Sequence, residues 1–267
     1  MDKTEKKTGS RAFGNEKEQQ EQSLVIEGRN AVLEAFRSGK PVDKLFVLDG
    51  CQDGPIRTIV REAKKHDVIL NFVGKERLNQ ISATGKHQGV IAYGAAYEYA
   101  RVEDMLELAE KKGEDPFLIL LDNIEDPHNL GAIIRTANVM GAHGVIIPKR
   151  RASGLTSTVA KTSAGALNYT PVAKVTNLAK TIEELKEKGL WFVCADMGGK
   201  VPCEMNLTGP IGLVIGNEGE GVGRLVRERC DFLAGIPMKG EIDSLNASVA
   251  AGMLSYEIAR QRMLKNV

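Results

Sequence analysis

From Pro116 onward, short apolar runs alternate along the chain with segments of helical periodicity. The apolar runs predict strands at residues 117–121, 145–148, 172–175, 191–195, 212–215 and 232–236, with helices between them, among them residues 129–141, 156–166 and 178–188. Strands that are separated by helices indicate a parallel sheet with helices on both faces. The alternation therefore predicts an α/β domain over residues 116–267.

The earlier part of the chain predicts a second, smaller α/β domain at residues 23–97. Its strands are predicted at residues 44–48, 69–73 and 90–93, and its helices at residues 30–36 and 56–66. Residues 98–115 are charged and are predicted to connect the two domains, with one short helix. Residues 1–22 are polar with mixed Lys and Glu, and we predict a disordered tail because they bury too little apolar surface to offset their ordering entropy.

The composition bears on several classes of protein. A formal net charge of +1 gives no overall attraction to nucleic acid, so local basic patches would have to supply it. The four cysteines form no C-x-x-C pair and no histidine has a second ligand at metal spacing, which predicts reduced thiols and no metal site. No apolar run reaches the roughly 18 residues of a membrane span, and the charged N-terminus lacks the apolar core of a secretory signal. We therefore expect a cytoplasmic protein.

Three stretches place polar residues directly after predicted strands. Residues 235–260 run from the last strand through a polar loop into a long helix that opens at Ser244-Leu245-Asn246. A helix start offers free backbone N–H groups and small polar side chains to a ligand. Residues 122–138 and 214–221 also begin at strand ends, where open α/β sheets collect their ligands. The three stretches are expected to meet at one site.

The helix that begins at Asn129 has a core face and an opposite polar face. Its core face is made by the apolar side chains of Leu130, Ile133, Ile134, Ala137 and Met140. Arg135 falls roughly opposite, in line with His128, and Gly131 lies between them. A guanidinium on a face cleared by glycine can approach a phosphate or a ribose in bidentate fashion. The alternative from the pattern alone is an ordinary exposed arginine.

Residues 216–221 form a glycine-rich loop with the spacing G-x-x-G-x-G. The glycines permit positive φ and a close approach of the backbone to a ligand. The spacing is not the G-x-G-x-x-G of a dinucleotide site, which argues against a nicotinamide cofactor. An ordinary glycine-rich turn is the alternative.

The last helix carries two apolar stripes. One contains Leu245, Val249, Met253, Tyr256 and Met263, and the other contains Ala247, Ala251, Leu254 and Ile258. A helix that is apolar on two sides must bury both, one on its own sheet and the other on a partner subunit. The pattern predicts a homodimer.

Three motifs together carry a resemblance to a known family. They are DPHNLGAIIRTAN at residues 126–138, IGNEGEG at residues 215–221 and IPMKGEIDSLN at residues 236–246. Their order and spacing closely resemble motifs 1 to 3 of the SpoU (TrmH-like) branch of the SPOUT RNA methyltransferases. The smaller domain, with EGRNAV at residues 27–32 and HQGV at residues 87–90, resembles the ribosomal-protein-L30e-like substrate-binding domain of the subgroup that methylates a guanosine in large-subunit rRNA.

The resemblance implies the fold, the cofactor and the assembly. It implies a C-terminal SPOUT domain with a parallel sheet and a deep trefoil knot, a rare exception to unknotted chains, beside a small N-terminal L30e-like α/β domain. S-adenosyl-L-methionine binds in the knot of such proteins, largely through backbone groups. The cofactor-binding positions correspond to Gly216, Asn217, Gly219, Ile236 and Leu245. The family's dimer forms through the first and last helices of this domain, in agreement with the two-striped helix.

The resemblance also implies a reaction and its residues. The family's catalytic arginine corresponds to Arg135, and its polar motif residues correspond to Asn129, Glu218, Ser244 and Asn246. The reaction is an in-line attack of a ribose 2′-oxygen on the sulfonium methyl group, in which the protein positions the nucleophile and helps to ionise it. Because a guanidinium effectively stays protonated, we expect Arg135 to bind RNA and to stabilise developing alkoxide charge rather than to act as a base.

The expected function is therefore methylation of a guanosine in the peptidyl-transferase region of 23S rRNA, on free rRNA or on a ribosome assembly intermediate. Basic residues such as Arg150 and Arg151 could hold phosphates. A tRNA ribose methyltransferase is an alternative, although that subgroup usually lacks the extra domain. A non-catalytic RNA-binding assembly factor is a second alternative, against which the intact motif residues argue.

Overall fold

The computed structural model describes residues 25–66, 68–95, 97–242 and 244–265. The tail predicted at residues 1–22 lies outside them. Two compact units are distinguished by their internal contacts. One contains the described residues up to Glu98 together with Gly154–Thr158, and the other contains Tyr99–Ser153 and the described residues from Val159 onward.

The first unit is a four-stranded sheet with helices. Its elements are β1 (Val25–Glu27), α1 (Arg29–Arg37), β2 (Val42–Leu48), α2 (Gly54–Lys65), β3 (Ile69–Val73), α3 (Lys75–Ile81) and β4 (Val90–Gly94). The strand order is β1-β4-β2-β3, in which only the β2–β3 pair is parallel. Apolar side chains of α1 and α2, such as Val32 and Ile59, are fully buried beside Leu45 and Val47 of β2. The elements β1 and α3 had not been predicted.

The second unit is a six-stranded parallel sheet with helices. Its elements are α4 (Val102–Lys112), β5 (Phe117–Leu121), α5 (Pro127–Val139), β6 (Gly144–Pro148), α6 (Ser157–Thr162), β7 (Val172–Val175), α7 (Leu178–Glu187), β8 (Trp191–Lys200), β9 (Ile211–Ile215), α8 (Arg224–Arg227), β10 (Phe232–Ala234) and α9 (Ala247–Lys265), with short 3₁₀ turns at Ala166–Asn168 and Pro202–Glu204. The first two residues of α6, Ser157 and Thr158, are counted with the first unit. The order β10-β8-β9-β5-β6-β7 is parallel throughout, as the apolar runs predicted. All five residues of β5 and of β9 are buried, because these central strands are covered on both faces.

The segment predicted as a connection belongs largely to this second unit. Its helix α4 buries Met105 completely in the core around β5 and β6. Gly144, the first residue of β6, makes room for that side chain, since a Cβ there would lie 2.2 Å from the Met105 sulfur. Residues 102–112 therefore form the short helix predicted in this segment, and the helix is packed into the core of the second unit.

β8 is longer than predicted, and its extension determines the shape of the site. The strand continues to Lys200, where it pairs with Ala234 of β10 after a shift in register. Gly199 is required at this crossing, because a Cβ would lie 2.5 Å from the backbone carbon of Leu233. β10 ends two residues earlier than predicted, and Gly235 donates a backbone hydrogen bond to the carbonyl of Lys200. The knot implied by the resemblance stays a prediction.

The parallel order brings three loops to one edge of the sheet. β8, β9 and β5 are neighbours, so the segments that follow their carboxyl ends start side by side. α9 packs against α5 and β9 through Ala247, Ala251, Leu254 and Ile258, all buried. Val249, Met253, Tyr256 and Met263 on its other stripe are about half exposed or more. Of the helices in the described ranges, none has both the length and the apolarity needed to cross a membrane.

Candidate functional site

A cavity of about 460 Å³ opens where β8, β9 and β10 end and α9 begins. Its apolar lining includes Ile215, Val222, Ile236, Met238, Leu245 and Leu254, and its polar lining includes Asp196, Asn217, Glu218, Arg227 and Ser244. The volume lies in the range of sites for small ligands and cofactors. A lining that combines apolar and polar side chains suits a nucleoside, whose base is flat and whose sugar carries hydroxyl groups.

The glycine-rich loop after β9 forms one side of the cavity by closing tightly on itself. The backbone N–H groups of Asn217 and Gly221 each donate to the other residue's carbonyl, at 3.2 and 2.9 Å. Gly221 has φ +68°, in the left-handed region that favours glycine. A Cβ on Gly216 would lie 2.2 Å from the backbone carbon of Gly221, so this close pass requires glycine. The positive φ predicted for the loop is present, whereas the close approach seen is between two parts of the loop, and an approach to a ligand stays a prediction.

The side chain of Asn217 holds this loop together. Its Oδ1 accepts hydrogen bonds from the backbone N–H of Gly219 at 2.8 Å and of Glu220 at 3.4 Å. Its Nδ2 donates to the carbonyl of Asn123, which follows β5. The loop therefore presents backbone groups to the cavity, while its one amide side chain is occupied internally.

An ion pair between Asp196 and Arg227 also lines the cavity. Asp196, on the extension of β8, accepts from Nε of Arg227 at 2.6 Å through Oδ2 and from the backbone N–H of Gly198 at 2.9 Å through Oδ1. The guanidinium hydrogen bond is the main cause that lowers the pKa of Asp196, and the same bond raises the pKa of Arg227. The pair stays charged and connects β8 to α8.

A cluster of amide and carboxylate groups lies at the start of α9. Glu218 Oε1 accepts three hydrogen bonds: from Asn129 Nδ2 at 2.6 Å, from Asn246 Nδ2 at 3.0 Å and from the backbone N–H of Ala247 at 3.2 Å. Asn246 Nδ2 also donates to Asn129 Oδ1 at 2.9 Å. Among the described residues, Glu218 Oε2 has no hydrogen-bond partner, so this oxygen is free to accept from a ligand.

Helix capping fixes the orientation of these amides. Asn246 Oδ1 accepts from the backbone N–H and the hydroxyl of Ser248, at 2.9 and 2.6 Å, and thereby caps α9. Its Nδ2 must then point towards Glu218. Asn129 lies in the first turn of α5, where Pro127 follows the cap residue Asp126. Two helix starts therefore bring Asn129 and Asn246 to the same carboxylate.

Most of the predicted site residues are brought together. The predicted cofactor-binding residues Gly216, Asn217, Gly219, Ile236 and Leu245 all line the cavity, as do Glu218 and Ser244. Asn129 and Asn246 join them through Glu218. Leu245, which had also been assigned to the outer stripe of the last helix, precedes α9 and lines the cavity instead.

Arg135 is the predicted site residue that neither lines the cavity nor hydrogen-bonds to a described residue of its lining. It is exposed, is not part of the cavity lining, and makes no hydrogen bond or ion pair with another described residue. It lies six residues after Asn129 in α5, roughly 9 Å along the helix axis and about 120° around it. Asn129 and Arg135 therefore face different directions.

The interpretation of Gly131 was wrong. We expected it to clear a face of α5 for a ligand, but it is buried against α6. A Cβ there would lie 2.6 Å from Cβ of Thr162. The residue permits close packing of two helices and does not open a path to Arg135.

Sequence reasoning missed Asp196 and Arg227. They are 31 residues apart and are joined only because β8 and α8 end beside the same cavity. The stretch Ala195–Lys200 contains two glycines and two charged residues, which gives no strand signal. No local pattern could have assigned these residues to the site.

A second cavity, of about 560 Å³, lies in the first unit where α1 and α2 begin. Arg29 lines it, pairs with Asp53 at 2.6 Å and donates through Nε to the carbonyl of Gln88 at 3.1 Å. Gln88 has φ +51°, a rare conformation for a side-chain-bearing residue, and its Oε1 accepts from the backbone N–H of Arg29. His87 is buried and anchors this turn through Gly89 and Asn79. The two short motifs of the smaller domain therefore meet at this cavity.

Both units match known protein families. Residues 116–256 match the model of the SpoU rRNA Methylase family, and residues 25–100 match the model described as RNA 2′-O ribose methyltransferase substrate binding. Among curated proteins, the chain is 51% identical over 245 residues to YacO of Bacillus subtilis (strain 168), whose name assigns it to the TrmH family of tRNA/rRNA methyltransferases. That alignment covers 91% of this chain and 97% of YacO.

Solved structures show the same fold. The SpoU methyltransferase AviRb from Streptomyces viridochromogenes, in complex with the cofactor AdoMet (S-adenosylmethionine), is similar with a TM-score of 0.57 and 26% identity, over 90% of each chain. The A. aeolicus TrmH/SpoU tRNA modifying enzyme is similar with a TM-score of 0.52 and 29% identity, over 61% of this chain and 85% of that one. These likenesses confirm the predicted combination of an α/β methyltransferase fold with an additional N-terminal domain.

Proposed function

Because this chain belongs to the SpoU rRNA methylase family, we propose that it transfers a methyl group from S-adenosyl-L-methionine to a ribose 2′-oxygen of RNA. We further propose that the target is a guanosine in the peptidyl-transferase region of 23S rRNA. The observation that carries the proposal is the Glu218–Asn129–Asn246 cluster, which joins all three sequence motifs beside a cavity of nucleoside size.

The cavity suits the proposed cofactor. Its glycine-rich loop offers backbone groups, and Ile236 and Leu245 offer apolar surface to an adenine ring. The carboxylates of Asp196, Glu218 and Glu220 in the lining favour a ligand that carries a positive charge. When bound, S-adenosylmethionine supplies an electrophilic methyl group, so the remaining work of the protein is to place the ribose oxygen.

The polar cluster would position that oxygen. Glu218 Oε1 is held by three donors, which fixes the direction of Oε2. We propose that Oε2 accepts the hydrogen bond of the 2′-hydroxyl and that the Ser244 hydroxyl contacts the same ribose. A carboxylate whose position is already determined needs no reorganisation when the hydroxyl begins to lose its proton.

We propose that Arg135 acts in the site of a partner subunit. In its own chain it lies outside the cavity. The apolar stripe of α9 that remains exposed supports a homodimer, and in such a dimer the site would be completed by Arg135 of the partner subunit. There the guanidinium would bind the RNA phosphate and ribose and stabilise developing alkoxide charge.

A mixing experiment tests the shared site. Arg135→Ala and Glu218→Ala are expected to be inactive alone, but a heterodimer of the two has one site with both residues intact. Statistical exchange in an equal mixture should restore about a quarter of the wild-type activity. No recovery on mixing would exclude sharing. Separately, full activity of Arg135→Lys with an unchanged pH–rate profile would exclude any role that requires a guanidinium.

The first unit is proposed to bind the RNA. The cavity between the starts of α1 and α2 combines Arg29, Asn30 and the amide of Gln88 with a strained turn, an arrangement that suits an unstacked nucleotide. In the second unit, the exposed Arg150 and Arg151 would hold phosphates. An RNA substrate also supports a cytoplasmic location.

Two other functions remain to be distinguished. The first is a tRNA ribose methyltransferase. The fold shared with the A. aeolicus tRNA modifying enzyme supports it, although that likeness covers only 61% of this chain. The second is a non-catalytic assembly factor. Purified protein should be incubated with labelled S-adenosylmethionine and, separately, with 23S rRNA, assembly particles and tRNA, and the modified position should then be mapped.

We expect one 2′-O-methylguanosine in 23S rRNA or in the particle, and none with Glu218→Ala. Label confined to tRNA would support the tRNA enzyme. Cofactor binding without label in any RNA would support the assembly factor.

A further inference from the structure

The β8 wall of the cofactor cavity carries a carboxylate that the proposed chemistry does not use. Asp196 lines the cavity, and its side chain is about one-quarter exposed. Glu218, the other lining carboxylate with several described hydrogen bonds, is committed to the two asparagines and to α9. Asp196 is therefore a lining carboxylate that its own hydrogen bonds hold in place and that is not part of the amide cluster.

The hydrogen bonds that Asp196 makes to described residues leave acceptor capacity on both oxygens. Oδ1 accepts from Gly198 and Oδ2 accepts from Arg227. A carboxylate has about four lone-pair positions, so roughly one remains on each oxygen. The two existing bonds hold the plane of the carboxylate, and the charged acceptor makes strong hydrogen bonds to neutral donors.

We propose that Asp196 accepts hydrogen bonds from the two ribose hydroxyl groups of the bound cofactor, and that Arg227 positions the carboxylate for them. A vicinal diol presents two O–H donors side by side, which match one free lone pair on each oxygen. A carboxylate at the end of a strand, beside a glycine-rich loop, binds a ribose in other nucleotide-binding α/β folds. The inference rests on the proposed binding of S-adenosylmethionine and adds the group that recognises its ribose.

Arg227 is a positioning residue in this arrangement. It lies in α8, which follows the glycine-rich loop, so its bond to Asp196 connects α8 to β8 beside the cavity. Its Nε donates to Asp196, and the planar guanidinium fixes the orientation of the carboxylate. A lysine ammonium would fix that orientation only in part.

Calorimetric titration with S-adenosylhomocysteine and with its 2′,3′-dideoxy analogue tests the proposal on the full-length protein. Asp196→Asn should weaken the binding of S-adenosylhomocysteine about 10- to 100-fold and the binding of the dideoxy analogue by less than about threefold. Arg227→Ala should give a smaller loss that also depends on the hydroxyl groups, and Arg227→Lys should recover part of it. Glu228→Gln, which removes an exposed carboxylate at the end of the same helix, should change neither affinity.

Equal losses for both ligands in Asp196→Asn would show that the residue only shapes the wall and would overturn the proposal. So would a wild-type protein that binds both ligands equally. Circular dichroism and thermal melting of each variant exclude unfolding as the cause of a loss. If the wild type binds no S-adenosylhomocysteine, the proposed function itself fails, whereas binding without dependence on the hydroxyl groups rejects the ribose contact alone.

Discussion

Of the glycines at the site, Gly216 is the one where an added Cβ should reduce stability and cofactor affinity the most. In Gly216→Ala the new Cβ would lie 2.2 Å from the backbone carbon, 2.3 Å from the oxygen of Gly221 and 2.4 Å from the nitrogen of Val222. All three are backbone atoms and cannot rotate away. Ordinary contact begins near 3.4 Å, so the loop must open by roughly 1 Å.

The expected magnitude has two parts. Overpacking of this kind costs about 1–3 kcal/mol, which for a cost of about 2 kcal/mol lowers Tm by roughly 4–8 °C in a domain of this size. Opening the loop also moves backbone groups away from the bound cofactor. The loss of one or two hydrogen bonds to these groups should weaken the binding of S-adenosylhomocysteine about 10-fold or more. Calorimetric titration measures the affinity, and urea unfolding measures the stability.

Gly209→Ala is the matched control. Gly209 precedes the same strand, β9, and a Cβ there meets nothing within 4 Å. It should leave affinity and stability unchanged. Wild-type affinity and Tm in Gly216→Ala would refute the reasoning, since the close pass between Gly216 and Gly221 would then impose no constraint.

Three further predictions concern catalysis, stability and assembly. Glu218→Gln keeps the size of the side chain but replaces an acceptor by an amide, so single-turnover methylation should slow about 10- to 100-fold. Affinity for S-adenosylhomocysteine, which lacks the sulfonium charge, should change less than about threefold, and equal losses of rate and of affinity would contradict the assignment. Burial lowers the pKa of His143, so below about pH 6.5 the unfolded state binds a proton that the folded state does not bind. The free energy of unfolding should therefore fall as the pH drops from there through the folded pKa. His143→Gln should weaken this pH dependence in urea unfolding, and an unchanged pH dependence would contradict the prediction. Met253→Glu on the exposed stripe of α9 should give a folded monomer in sedimentation, whereas Leu254→Glu on the buried stripe should unfold; a dimeric Met253→Glu would reject the proposed interface.

The core strands of the second unit could be predicted because their burial is written in their composition. Phe117–Leu121 is apolar at every position and was predicted with both ends correct. By contrast, α3 has only two apolar residues among KERLNQI, so its pattern could not be separated from a loop. The extension of β8 was missed because its stability comes from pairing with β10, which lies over 30 residues later.

The site was predictable where single segments carry the signal. The glycine-rich loop and the start of α9 each contain several of its residues, and both line the cavity. The Asp196–Arg227 pair depends on tertiary contact alone. Gly131 shows the opposite error, since a glycine on a polar helix face looks the same in sequence whether it admits a ligand or a neighbouring helix.

Asn246 has two jobs that act at different scales. Its side-chain oxygen Oδ1 caps the start of α9, and its side-chain nitrogen Nδ2 donates to Glu218 Oε1, which also accepts from the backbone N–H of Ala247. If two copies meet at the exposed face of α9, the helix contacts the carboxylate of Glu218 at its start and packs against the second copy along its length. A slide of roughly 1 Å would stretch bonds of 3.0 and 3.2 Å past the limit of hydrogen bonding. A separated chain would then lose the alignment of Glu218 as well as Arg135 of the partner subunit, so dimerisation would be a condition for catalysis.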